Sequence, residues 1–412
     1  MRWRLVLLFF ISASSLFGQY TSSDFLRSAL NDPEVATLAE QLNYLGTKPY
    51  RLSPLQRVEV RSQVRQMNPD FTEVGLRMTA SNPWEISYTN KYFLNLQGSL
   101  ALEQQLALRE ALTTRYKLVI YYRYLAEVRD LAARHQQLIR DQIQVLERLA
   151  GSTYFDADEF VKLKIALVDR AIEFEETEYD LDNLVQEIRL RDSQRITQTL
   201  DWENESLLDI REIPGMIDSL SERQQQSAQL EYRRQQVSLA MNYYKLEKAN
   251  VNAGFIQAEY DNRRVIQERN PYNLTMGITL PLVNPNKEDM ARRRLQGIEA
   301  EHNLKETERM LQTTVPASLQ KVNEAIERYT GMEKTWQEVM RAGLPEQLST
   351  MKDGDPLVLL RFRMSEVKLK LLQAKQRRNI LLAWIDYLAL SDLLEQRPLV
   401  NYLSSSLAPI EE

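Results

Sequence analysis

Residues 148–163 read RLAGSTYFDADEFVKL, and this short segment organises the whole chain. Ala150-Gly151 precedes Asp156-x-Asp158, and a helical pattern opens at Phe160-Val161-x-Leu163. The same order returns two hundred residues later. Ala342-Gly343 precedes Asp353-x-Asp355, and a helical pattern opens at Leu357-Val358-x-Leu360, with five more residues between the glycine and the first aspartate. A recurrence of this kind is the mark of an internal repeat. Each copy lies between two long patterns with alternating three- and four-residue apolar spacing. Before the first copy run Leu118, Tyr122, Leu125, Val128, Ala132, His135, Ile139, Ile143 and Leu146. After the second run Leu357, Leu360, Met364, Val367, Leu371, Ala374, Arg378, Leu381, Ile385 and Leu388. Leu311, Val315, Leu319, Val322, Ile326, Tyr329, Met332, Trp336 and Val339 keep nearly the same rhythm, with a kink expected at Pro316. Such heptad seams predict long helices packed side by side as coiled coils. His135 falls inside a seam and is expected to be a packed core residue.

The period changes to two in other places. Val74, Leu76 and Met78 alternate with Gly75, Arg77 and Thr79. Leu94, Leu96, Leu100 and Leu102 alternate with small or polar residues, as do Leu274, Met276, Ile278, Leu280 and Leu282, and a less regular stretch runs from Val251 to Tyr260. These are read as four strands, each with one apolar and one polar face. Strands of about ten residues match the length that crosses a bilayer at a tilt. The same alternation also fits a half-buried sheet in water. Four strands cannot close a barrel around water, and an open sheet exposes its edges, so association with further copies is expected. Trp84, Tyr88, Tyr92, Phe93, Tyr260 and Tyr272 are placed beside the strands, where an interfacial aromatic girdle would sit.

Composition narrows the chemistry. Among 412 residues, 26% are charged and 43% apolar, enough for a folded core, and only 12 glycines and 14 prolines interrupt a chain that is expected to be mostly helical. There is no cysteine, which excludes disulfides, thiolate metal sites, cysteine nucleophiles and an acylated N-terminal cysteine. The two histidines, His135 and His302, are far apart, so neither a histidine metal site nor a catalytic triad is expected. The pairs Asp156/Asp158 and Asp353/Asp355 have no histidine, cysteine or glycine-rich loop beside them that would make an active site. No enzyme activity and no cofactor are expected. A net charge of −5 gives no basic footprint for nucleic acid.

Met1–Arg4 carries two arginines, Leu5–Ile11 is apolar, and Ser12–Gly18 is small and polar apart from Leu16 and Phe17. Residues 1–18 therefore read as a secretory signal peptide, with Gln19 the first mature residue. A membrane anchor would need about twenty apolar residues, and no later stretch reaches that length. The division expected is 19–204 for a first structural repeat, 205–397 for a second and 398–412 for a C-terminal tail.

Two repeats of helix, strand, strand, long helix, tip and long helix behind a signal peptide resemble the TolC-type outer-membrane efflux proteins. Met67-Asn68-Pro69-Asp70, Leu280-Pro281-Leu282 and the tip patterns Arg148-x-Ala150-Gly151-Ser152 and Arg341-Ala342-Gly343-Leu344 carry the likeness. The resemblance implies a homotrimer whose coiled-coil hairpins form an α-barrel in the periplasm and whose chains each give four strands to one twelve-stranded barrel in outer-membrane lipid. It implies a passive duct for efflux or type I secretion, opened through a periplasmic adaptor protein and an inner-membrane transporter. Adaptor docking is then expected at Gly151, Ser152, Gly343 and Leu344, and the gate at Asp156, Asp158, Asp353, Asp355 and Arg361. In a trimer each aspartate would form a ring of three carboxylates, although an aspartate before a helix is also an ordinary N-cap. The acidic gate positions of the family's last helix fall near Val358 and Arg361, which departs from its pattern. Residues Thr47–Ser53 are read as an insertion, and the short linker Arg191–Pro214 implies a reduced equatorial region. The competing reading is a soluble periplasmic coiled-coil scaffold or docking protein whose strands form a small sheet.

Overall fold

The computed structural model describes residues 20–47, 52–64, 72–153, 155–192, 200, 202–221, 227–250, 254–266, 269–278, 286–341 and 356–410. Helices α1 (Ser22–Arg27) and α2 (Pro33–Thr47) lead into strands β1 (Leu55–Val64) and β2 (Thr72–Ala80). Helix α3 (Pro83–Arg148) then runs for 66 residues to a turn and α4 (Ala157–Arg191). Two 3-10 turns, Trp202–Asn204 and Ile210–Glu212, come before α5 (Ile213–Ser221) and α6 (Ala228–Ala249). The second half repeats the order: β3 (Gly254–Asp261), α7 (Asn262–Ile266), β4 (Tyr272–Ile278), α8 (Lys287–Arg341) and α9 (Pro356–Leu390). Pro316 lies inside α8, which continues through it. The proposed signal peptide falls outside the described residues.

The chain groups into two compact units. One takes Met1–Val35, Ala107–Gln225 and Gln312–Glu412; the other takes Ala36–Leu106 and Gln226–Leu311. In the first, the heptad seams are the core: Tyr122, Ala132, Ile139, Ile143 and Leu146 of α3, Val322 and Ile326 of α8, and Val367, Ala374, Leu381, Ile385 and Leu388 of α9 are all buried. Irregular segments complete it. Trp202 is fully buried, donates from Nε1 to the Tyr20 carbonyl at 3.0 Å, and has the rings of Phe25 and Tyr122 at 5.4 and 5.2 Å. Arg115 is equally enclosed. Its Nε donates to Ser28 Oγ at 2.9 Å and its Nη1 to Asp32 Oδ2 at 3.0 Å, so the charge is paired where water cannot reach it. His135 is 2% exposed, as its seam position requires, with no hydrogen-bond partner on either ring nitrogen.

The second unit carries the sheet, antiparallel throughout in the order β1-β2-β3-β4. The strands join helices through two asparagines. Asn82, just before α3, donates from Nδ2 to the Ala249 carbonyl at 2.8 Å, and Asn286, just before α8, donates to the Asn250 carbonyl at 2.9 Å. The start of each long helix is thus fastened to the same end of α6.

One strand of the sequence reading is corrected. Leu94–Leu102 belongs to α3, and with it the aromatic residues Trp84, Tyr88, Tyr92 and Phe93 are helical. Asn82 caps and Pro83 occupies the first helical turn, where a proline's missing N–H costs nothing. The buried residue in this stretch is Ser99, which accepts from Gln236 Nε2 at 2.8 Å, while Leu94 is exposed. The fourth strand is instead β1, just beyond the segment read as an insertion.

Candidate functional site

Two surfaces carry chemistry. The first is the sheet, whose register sorts its residues completely. Val58, Met78, Ile256 and Met276 stand in one row across the four strands, and Val60, Leu76, Ala258 and Leu274 in the next. Ser62, Val74, Tyr260 and Tyr272 form a third. This face is apolar yet uncovered: Val60 is 76% exposed, Leu274 63% and Met276 67%. The pair Tyr260 and Tyr272 closes it at the loop end, with ring centroids 5.6 Å apart. Apolar side chains so exposed over four strands would be unstable in water and are suited to a hydrocarbon solvent.

The opposite face is polar. Arg57, Thr79, Phe255 and Gly277 share a row, followed by Glu59, Arg77, Gln257 and Thr275, then Arg61, Gly75, Glu259 and Asn273. Glu59 sits between Arg57 and Arg61 at 2.7 Å from each. The Arg77 guanidinium lies 3.7 Å from the centroid of the Phe255 ring. That ring covers Gly277, where an added Cβ would come within 2.4 Å of it, so glycine is what lets the aromatic lie flat. The outer edges of β1 and β4 pair with no strand among the described residues.

The second surface is the helical turn between α3 and α4. Gly151 has φ +90°, open space around it and no penalty for a left-handed turn. Ser152 Oγ donates to the Leu149 carbonyl at 2.8 Å. Asp156 is the N-cap of α4: its Oδ1 accepts from the Glu159 amide at 3.0 Å, satisfying a free amide of the first turn. Asp158 pairs with Lys162 one turn on and raises that ammonium's pKa. Beneath the turn, Ile139, Ile143, Leu146, Leu163 and Leu357 form a buried cluster with Phe155 and Phe160 against it.

Of the residues expected at this tip, the structure brings Gly151, Ser152, Asp156, Asp158 and Arg361 into one region. Gly343, Leu344, Asp353 and Asp355 lie outside the described residues. Arg361 of α9 is 3.1 Å from Glu159 of α4, so the residue that departs from an acidic pattern finds its acid on the neighbouring helix. Glu159 was not singled out in the sequence. Its only signal is its place three residues after the N-cap. Among the described residues, no group of carboxylates and histidines could hold a metal, and no helix is long and apolar enough to cross a membrane.

No sequence-family profile matches the chain, and no curated protein matches it in sequence. Solved structures do match its fold. The Neisseria gonorrhoeae outer-membrane channel MtrE, in its open state, superposes with a TM-score of 0.64 at 12% identity, covering 90% of this chain and 89% of that one. The Vibrio cholerae outer-membrane protein VceC gives 0.59 at 11% identity over 90% and 94%. The Campylobacter jejuni outer-membrane channel CmeC gives 0.59 at 10% identity over 93% and 86%. The chain therefore shares the fold of outer-membrane channels along nearly its whole length.

Proposed function

We propose that this protein is a TolC-type outer-membrane channel: a homotrimer in which the free edges of β1 and β4 pair between copies and close twelve strands into one barrel. Its apolar face then meets outer-membrane lipid and its charged face lines the duct. The observation that carries the reading is the inverted sheet, apolar where it is exposed and polar on the other side. Closure by further copies satisfies the backbone groups of both edges, which an open sheet in lipid cannot do. The helices would extend into the periplasm as a passive conduit, with no catalytic step and no cofactor, for efflux or type I secretion.

In this reading Gly151, Ser152, Gly343 and Leu344 form the tip that a periplasmic adaptor engages on behalf of an inner-membrane transporter. The gate comprises Glu159 and Arg361, with Asp156, Asp158, Asp353 and Asp355 around them. Alkaline carbonate extraction of cell envelopes tests the membrane assignment: retention in the outer-membrane pellet is expected, and release into the supernatant overturns it. Purified protein placed in planar bilayers should then give steps of conductance.

A further inference from the structure

At the C-terminal end of α9 two buried carboxylates stand near one guanidinium. Arg109 Nη1 lies 2.5 Å from Asp392 Oδ1 and 3.3 Å from the Ala389 carbonyl, so it is committed to Asp392 and the helix end. Asp392 is 6% exposed and takes the left-handed conformation, φ 54°. Three residues further on, Glu395 is 8% exposed, both its carboxylate oxygens are shut off from water, and Asp392 is close enough to share a hydrogen bond with its neutral acid. The charges acting on it are Asp392, which opposes ionisation, and Arg109 of α3, which favours it. An ionised carboxylate without its own counter-ion is strongly disfavoured in such a place, whereas the neutral acid is tolerated.

Glu395 stands at the base of a strap. From Ser391 to Ile410 the chain folds back with Leu399, Tyr402, Leu403 and Ile410 buried. The Leu208 amide donates to the Leu403 carbonyl at 2.8 Å, Tyr116 Oη to the Val400 carbonyl at 2.8 Å, and Asn401 Nδ2 to Ser23 Oγ at 2.9 Å. The strap thus ties together the N-terminal segment, α3 and the loop after the first 3-10 turn. We propose that Glu395 is a proton latch: it is buried as the neutral acid at neutral pH, and removing that proton loosens the C-terminal strap.

Burial, then Asp392, raise the Glu395 carboxyl to about 8. The sign follows. A folded-state pKa above the ordinary glutamate value contributes stability that is complete in acid and is lost as pH rises toward about 8.

The test uses the full-length protein in detergent. Infrared difference spectra across a titration from about pH 6 to about pH 10 should show the carbonyl band of a protonated carboxylic acid at neutral pH, absent in Glu395→Gln. Hydrogen exchange over residues 391–410, corrected for the intrinsic rate, should show protection in the wild type falling by up to about tenfold per pH unit as pH rises toward about 8 and levelling off above it. In Glu395→Gln the same protection should stay level. Should that variant fail to fold, Asp392→Asn gives a second reading, because removing the competing carboxylate should move the band's disappearance to lower pH. A wild-type spectrum without the protonated band at neutral pH overturns the latch, as does strap protection that is independent of pH.

Discussion

The two units of this molecule place their apolar residues in opposite ways. In the helical unit, Ile139 of α3, Val322 and Ile326 of α8 and Ile385 of α9 are hidden in the seams and charge pairs stand outside them, Lys162 with Asp158, Arg328 with Glu324 and Lys370 with Glu366, while Val161, Ile165, Val168 and Ile172 leave one stripe of α4 open. In the sheet unit, Val58, Val60, Leu274 and Ile278 are open, while Glu59, Arg61 and Arg77 occupy the other side. One chain with one composition thus builds two arrangements, and that of the sheet suits a hydrocarbon solvent. The difference teaches that burial in protein and burial in lipid leave the same alternation in a strand, and that only the uncovered apolar face tells them apart.

Adjacent residues of β4 offer the sharpest way to break that comparison. Leu274 lies on the apolar face and Thr275 on the polar one. Leu274→Arg places a charge where lipid is expected, at a cost of about 2–4 kcal/mol per copy near the middle of the bilayer. Outer-membrane fractionation should show its assembly lost, while Thr275→Arg assembles at the wild-type level. Equal tolerance of both would mean that the sheet is not in a membrane.

Within the helical unit, Trp202→Ala should be the most damaging single truncation. It removes a fully enclosed ring and the hydrogen bond from its Nε1 to the Tyr20 carbonyl, for a loss of about 3–5 kcal/mol in denaturant titration. Ile278→Ala, at a residue 83% exposed, should leave the same titration almost unchanged.

The sequence carried the larger part of this contrast. The heptad seams of α3, α8 and α9 and the alternation of β2, β3 and β4 are period signals, and each matches an element. β1 was missed because Arg57, Glu59 and Arg61 break up its apolar residues and made it look like surface, although charge on one face is what a duct lining needs. Leu94–Leu102 misled for the reverse reason: closely spaced leucines imitate a strand, while Asn82 and Pro83 a turn or more upstream decide for helix. At the tip, the capping role of Asp156 was readable from its place before α4. The Glu159 and Arg361 contact was not, because it joins residues 202 apart and depends on how two helices are rotated against each other.

His135 tests the helical side of the comparison by pH. Burial, then the nearby Arg170 and Lys368 charges, depress its pKa to about 4. An unfolded chain takes up the proton near pH 6.5, so stability is complete above that value and is lost as pH falls toward about 4. The loss should reach roughly 3 kcal/mol. His135→Leu should flatten that acid limb in thermal melts, and an unchanged limb would place the histidine in water.

A small effect on stability should also come from the tip pair. Arg361 and Glu159 are 53% and 29% exposed at their side chains, and an ion pair that wet contributes about 0.2–1 kcal/mol. Arg361→Ala should therefore barely move the denaturation midpoint. Its effect on the proposed gate is separate from that energy, because the contact joins α4 to α9 across the turn where the duct would narrow. Single-channel conductance should rise in Arg361→Ala and return toward wild type when the charges are exchanged in Arg361→Glu with Glu159→Arg. Conductance identical in all three would leave the pair as surface decoration and move the gate elsewhere along the helices.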